Sequence, residues 1–334
     1  MGFVPTERML NLFYAEPECD RWLPLDRYPR RIIRRFVRGP RQPGGMERYF
    51  LNLVEGLRRA GIPHRQNPFA HARRQFKEVV GIIGKSHLLR TRPWRNPIVF
   101  GPAVFSHPLS DLAVFRERPI KKVLVSCEWL KRMYAQTIDV PVEVWPAGVD
   151  TYTWRPRPEA PKDIDVLVYD KVRWRREKYE PELIQPILAN LTRRGLRHQT
   201  IRYGSYREEE FHALLARCRS MIFLVEHETQ GFAYLQALAC DVPILGWDRG
   251  GFWEDPEFYP HRVRFEGVSS LPYWDDRCGV KFAAIEEFTT SLDRFVDGLA
   301  RGAFRPRDYV TQNLSLEDCA RAYVRQIETL TPPC

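Results

Sequence analysis

The run Met221-Ile-Phe-Leu-Val225-Glu226-His227-Glu228-Thr-Gln-Gly231-Phe232-Ala233-Tyr-Leu-Gln236-Ala-Leu-Ala-Cys240-Asp241-Val-Pro243-Ile-Leu-Gly246 decides how this chain reads. Its first five residues are all apolar and bulky, which predicts a short strand buried on both faces. A polar loop follows, Gly231 opens a helix that runs to Cys240, and an apolar strand resumes over Pro243–Gly246. Strand, loop, helix, strand is the repeating unit of a parallel sheet covered by helices.

The same alternation extends in both directions. Upstream it predicts a strand at Val166–Tyr169, a helix over Pro181–Gly195, a strand at Gln199–Tyr203 and a helix over Glu208–Cys218. Downstream, Ile285, Phe288, Leu292, Phe295, Val296 and Leu299 share one helical face. A last helix opens at Ser315 with Asp318 three residues on, a capping-box pattern. Thr151–Asp165, with Pro156, Pro158 and Pro161, reads as a linker. Before it, strands are expected at Met9–Tyr14, Val79–Ile83, Pro97–Phe100, Lys122–Val125 and Val142–Trp145. An amphipathic helix carries Met46, Phe50, Leu53, Val54 and Leu57 and stops at Gly61. The expected fold is α/β, with two Rossmann-like doubly wound domains facing a central cleft: an N-terminal domain over 1–155, a C-terminal domain over 156–312, and a helix over 313–334 for which packing back on the N-terminal domain is one option. Such sheets take ligands beyond the carboxyl ends of their strands.

The composition excludes several classes. With 334 residues, 44% hydrophobic and 28% charged, this is not a disordered chain. No apolar run approaches the roughly 18 residues that span a bilayer. Glu7 and Arg8 stand where a signal peptide would be apolar, so the expected location is the cytoplasm. Seven scattered cysteines without a Cys-x-x-Cys pair indicate neither a disulfide framework nor a zinc site, and read as buried or idle thiols.

The net charge of +10 is unevenly placed: residues 27–48 hold eight arginines against one acid, Glu47. A local cluster of this kind is the footprint of a polyanionic partner or a solvated basic loop. On a helix Ile32, Ile33, Phe36 and Val37 would share a face flanked by arginines, which suits either an anionic membrane surface or a core contact. The candidate partner through Arg27–Arg41 is therefore an anionic membrane, with the protein peripheral on its inner face. No DNA-binding motif is present, and nucleic acid is not favoured.

Three constellations could carry chemistry. Gly44-Gly45 precedes the amphipathic helix, where free N–H groups and the helix dipole favour an anion, although a tight turn explains the glycines equally well. Arg173 and Lys178, just after the Val166–Tyr169 strand, could converge on a diphosphate or form a solvated charge run. Glu228 and Gln236 are eight residues apart, about 12 Å of helical rise. That reaches from a sugar hydroxyl to a ribose, with the Gly231 helix start free for phosphate between them. An ordinary strand–loop–helix unit would need no carboxylate at the loop tip.

Together with Val142-Glu-Val-Trp-Pro-Ala-Gly148-Val149-Asp150, Asp241-Val-Pro243, Gly250-Gly251 and the terminal Tyr309–Tyr323 segment, their order and spacing resemble a retaining glycosyltransferase of the GT-B fold, in the GT4-like group (glycosyl transferases group 1). The resemblance implies a nucleotide-diphosphate sugar as donor substrate, no cofactor and no metal, and a glycan or lipid-linked acceptor. It implies that Arg173 and Lys178 hold the diphosphate, that Glu228 contacts the donor sugar, and that Gln236 reaches the ribose. Gly44, Gly45, Tyr203, Gly204, Gly231, Phe232 and Ala233 complete the implied donor surface. An acceptor-side histidine would be His107, or else His87. The chain departs from the group at Gln236, where a carboxylate is usual, and in lacking an unambiguous counterpart of that histidine. Two other readings are a non-catalytic sugar-nucleotide or glycan-binding module and a glycosyltransferase acting on modified DNA bases.

Overall fold

The computed structural model describes residues 9–16, 44–102 and 104–330. They form two compact α/β units, one drawn from 1–126, 134–145 and 319–334, the other from 127–133 and 146–318. The arginines at 27, 30, 31, 34, 35, 38 and 41, with the amphipathic pattern among them, lie outside the described residues.

The first unit is built on a parallel sheet of β1 (Leu10–Phe13), β2 (His64–Gln66), β3 (Val80–Ile82), β4 (Ile98–Phe100), β5 (Ile120–Val125) and β6 (Val142–Val144), in the order β2-β1-β3-β4-β5-β6. The central triplets of β3 and β4 are buried throughout, the burial that continuous apolar runs foretell. Helix Gly45–Arg59 buries Tyr49, Phe50, Leu53 and Leu57. The C-terminal part of helix Leu316–Glu328 belongs to this unit: Trp145 Nε1 donates to the Cys319 carbonyl at 2.8 Å, and Lys122 Nζ donates to the Gln326 carbonyl at 3.0 Å and to Thr329 Oγ1 at 2.6 Å. Gly81 of β3 is required by that packing, since a Cβ there would stand 2.2 Å from the Tyr323 hydroxyl.

The second unit holds a parallel sheet of β7 (Ile164–Asp170), β8 (His198–Arg202), β9 (Cys218–Leu224), β10 (Ile244–Trp247) and β11 (Gly279–Phe282), in the order β11-β10-β9-β7-β8. The chain goes outward from β7 to β8, then returns to place β9 on the other side of β7. The strand order therefore reverses between β7 and β9, and in open α/β sheets that reversal is where a crevice opens at the strand ends.

Several boundaries differ from the sequence reading. β7 begins at Ile164, inside the expected linker, because Ile164 is buried against the sheet. The helix expected from Pro181 begins at Arg176 and runs as Arg176–Tyr179, a π-helical turn over Glu180–Ile184, and Gln185–Arg193. Pro181 stands within the π turn, where the ordinary hydrogen-bond ladder is already interrupted. Strands β2 and β11 had not been expected; both lie at sheet edges. Cys127, Cys218, Cys240, Cys278 and Cys319 are buried, and none of them forms a disulfide among the described residues. Among the described residues no helix is long and apolar enough to cross a membrane.

Candidate active site at the β7 and β9 strand ends

Two loops leave the sheet at the reversal, and carboxylates tie them together. After β7, the Val172 N–H donates to Asp170 Oδ1 at 3.1 Å, while the Arg173 and Trp174 N–H groups both donate to Glu226 Oε1, at 2.8 and 2.6 Å. Arg175 turns the chain at φ +49°, and Arg176 starts the helix with its guanidinium 2.6 Å from the buried Asp170 carboxylate. Lys171 is the first residue beyond β7. Its ammonium pairs with the Glu228 carboxylate and lies 4.5 Å from the centre of the Tyr203 ring. The two side chains of that pair are 14% and 10% exposed, so water screens them only partly.

After β9, the chain alternates charged and aromatic surroundings. Glu226 is 1% exposed, and burial pushes its carboxyl above the usual range; its second oxygen, Oε2, has no hydrogen-bond partner. His227 sits against Trp129 and Trp174, with ring centres 5.5 and 4.7 Å away. Burial, reinforced by the Arg173, Arg249 and Lys171 charges, pulls its imidazole down to about 3, so it is neutral near pH 7. The Glu228 backbone is pinned on both sides, its N–H donating to the Ser269 carbonyl and its carbonyl accepting from Trp129 Nε1, each at 2.9 Å. Gln230 clasps the Ala147 backbone through both its amide groups.

Gly231 then takes φ +69°, and a Cβ there would meet the Tyr234 ring at 2.0 Å. Helix Phe232–Ala239 follows with no side-chain cap and no acid in its first turn, which leaves the positive end of its dipole uncompensated. Gln236, on this helix, is 7% exposed. Beyond β10, Asp248 accepts from Ser270 N–H and Lys281 Nζ, each at 2.8 Å, and Glu254 joins Arg175 at 2.8 Å to Arg249 at 3.4 Å.

Arg173, Tyr203 and Glu228 thus follow the carboxyl ends of β7, β8 and β9, where Lys171 joins Glu228 to Tyr203, and Gly231, Phe232, Ala233 and Gln236 follow on the loop and helix beyond β9. Gly204 follows Tyr203 with φ +82° and open space about it. Lys178 lies further along, on helix Arg176–Tyr179, with its ammonium 3.9 Å from Glu182 and 5.5 Å from the Tyr179 ring. Sequence reading missed Lys171 and Glu226, whose partners lie more than fifty residues away. Asp163 and Asp165 are paired with Arg217 and Arg197.

Gly44, Gly45 and His107 belong to the first unit. Neither glycine has a positive φ, and no described atom lies within 4 Å of an added Cβ, so neither local strain nor packing among the described residues calls for them. His107 is buried, and its Nδ1 accepts from the Leu109 N–H at 3.1 Å. His87 follows β3, with burial pulling its imidazole down and neither ring nitrogen partnered.

No protein-family model matches the sequence, and no curated protein does. Solved structures share its fold at low identity. Sucrose-phosphate synthase from Thermosynechococcus elongatus is similar with a TM-score of 0.55 and 12% identity, over 86% of this chain and 94% of that one. AviGT4, a glycosyltransferase involved in avilamycin A biosynthesis, is similar at 0.55 and 15%, over 96% and 97%. The lipopolysaccharide outer core galactosyltransferase WaaB is similar at 0.55 and 10%, over 97% and 99%. The two parallel-sheet α/β units are therefore the fold found in GT-B glycosyltransferases.

Proposed function

We propose that the chain is a retaining, GT4-like glycosyltransferase that moves a sugar from a nucleotide-diphosphate donor to an acceptor hydroxyl. The observation that carries this reading is the Lys171–Glu228 pair at the β7/β9 reversal, with the Tyr203 ring beside Lys171, Arg173 two residues further along the same loop, and the uncapped helix that bears Gln236 starting four residues after Glu228. Similarity of fold to the glycosyltransferases above supports it.

In this reading the second unit binds the donor. Breaking the bond between the sugar and the diphosphate leaves negative charge on the phosphate, so cations already in place lower the barrier. Lys171 and Arg173 supply that charge, Lys178 adds to it, and the N-terminus of helix Phe232–Ala239 offers N–H groups. Glu228 orients the sugar, and the Gln236 amide bonds the ribose. The acceptor hydroxyl attacks the sugar carbon on the face the diphosphate leaves, the departing phosphate oxygen takes the hydroxyl proton, and configuration is retained. No metal or cofactor enters the proposal.

The first unit binds the acceptor, with His107 or His87 as the acceptor-side group, and the uncapped start of helix Gly45–Arg59 suits the approach of a phosphate at Gly44 and Gly45. A glycan or lipid-linked acceptor is favoured, with Arg27–Arg41 meeting the anionic inner face of a membrane and the protein otherwise in the cytoplasm. Incubation with a panel of uridine, guanosine and adenosine diphosphate sugars tests the reading: release of nucleoside diphosphate from at least one, rising with added acceptor, is expected. A chain that binds a nucleotide sugar yet releases none from any would be a non-catalytic binding module.

A further inference from the structure

The loop that carries Lys171 and Arg173 is fixed by a residue to which nothing so far assigns a part. Val172 N–H is satisfied locally by Asp170, but the next two N–H groups, of Arg173 and Trp174, converge on one oxygen of Glu226. Glu226 comes from the neighbouring strand's loop and is 1% exposed. A buried carboxyl oxygen accepting two successive backbone N–H groups sets the direction of the chain at those residues. Two residues on, Glu228 takes the Lys171 ammonium. One three-residue stretch, 226–228, therefore grips the same loop twice, first by its backbone and then by a side chain.

Burial at this place is expensive for a carboxylate. Glu226 is pushed toward its neutral form by burial and retained as an acceptor by the two N–H groups and its own backbone N–H. Its other oxygen is unpartnered, as are both His227 nitrogens and Arg249 Nε. An arrangement that leaves so many buried polar atoms unpaired is poor for stability and needs a return elsewhere.

We propose that Glu226 is a positioning residue of the donor site: by holding the Arg173 and Trp174 N–H groups it fixes the 171–174 loop so that Lys171 and Arg173 meet the donor diphosphate. This rests on the reading of the site as a nucleotide-diphosphate site. Glu226 itself touches no phosphate; it acts through the loop.

The test compares Glu226→Ala and Glu226→Gln with wild type by two readouts on the full chain. Amide hydrogen exchange at Arg173 and Trp174 reports the grip, and titration with uridine, guanosine and adenosine diphosphates reports its consequence. Glu226→Ala should speed exchange at those two amides at least tenfold and weaken the best-bound diphosphate by about tenfold or more. Glu226→Gln keeps an amide oxygen in the accepting position and should restore most of both. Unchanged exchange in Glu226→Ala overturns the grip. Faster exchange with unchanged diphosphate affinity overturns the positioning role. If wild type binds none of the three diphosphates, the donor-site reading fails first and the positioning role falls with it, which is a different outcome from wild-type binding that Glu226→Ala leaves intact.

Discussion

The Lys171 ammonium and the Glu228 carboxylate meet across the two loops that leave β7 and β9, with little of either side chain exposed. The pair joins residues 57 apart in sequence at the one place in the second sheet where strand order reverses. Removing either partner leaves a poorly solvated charge unpaired, which costs about 3 kcal/mol for a buried pair.

That sets up a double-mutant test. Lys171→Met and Glu228→Gln should each lower unfolding stability by about 2 to 3 kcal/mol in urea, and the double variant by clearly less than the sum. Activity should not follow stability. If the pair serves the donor, all three variants lose turnover on the order of 10²-fold, and restored folding does not restore transfer. A double variant that regains both would make the pair purely structural.

Gln236 presents a different case, because it offers a neutral amide from a buried position on helix Phe232–Ala239. An amide bonds a ribose hydroxyl more weakly than a carboxylate does. Gln236→Glu is expected to tighten nucleotide binding by about 1 kcal/mol with little change in turnover at saturation, and Gln236→Ala to raise the Michaelis constant for the donor. Calorimetric titration and steady-state kinetics decide; identical affinities in all three proteins would remove Gln236 from the donor.

Gly231 shows how tightly the loop is built. Alanine there would hold φ near +69° at about 1 to 2 kcal/mol and push a methyl into the Tyr234 ring. Gly231→Ala should lower stability by about 2 to 4 kcal/mol and weaken nucleotide binding, measured by urea unfolding and titration. Gly204→Ala carries a similar φ penalty without a clash, so it should cost only about 1 to 2 kcal/mol.

His227 should leave its mark on acid stability. Its imidazole titrates near 3 in the fold against about 6.5 in the unfolded chain, so between those values the unfolded state binds the extra proton. The stabilisation it brings is complete above pH 6.5 and is lost as pH falls toward 3. From pH 6.5 to 5 the loss is about 2 kcal/mol. The raised Glu226 carboxyl works with the opposite sign, its contribution being lost as pH rises through its folded value, so the comparison of interest is wild type against His227→Gln. The variant should show a shallower fall in urea stability over that window; equal slopes would contradict the assignment.

Much of this was legible in the sequence, and the misses share a cause. The central strands announced themselves as apolar runs, and the carboxylate at position 228 stood out because a plain strand–loop–helix unit has no need of it. β2, the polar His64-Arg-Gln66, and β11 are edge strands, where a continuous apolar run is not required. The helix start at Arg176 was hidden by a charge run and by Pro181, which imitates a beginning. Lys171 and Glu226 look ordinary in sequence; only the pairing of β7 with β9 reveals that one faces Glu228 and the other caps the Arg173–Trp174 backbone.

The most direct measurement is a crystal structure of the protein grown with the nucleoside diphosphate that binds best. The account predicts the diphosphate at the β7/β9 reversal, with phosphate oxygens about 2.7–3.1 Å from Lys171 Nζ and from the first N–H groups of helix Phe232–Ala239, and the ribose at Gln236. A diphosphate bound elsewhere on the chain, or this crevice empty at saturating nucleotide, would contradict it.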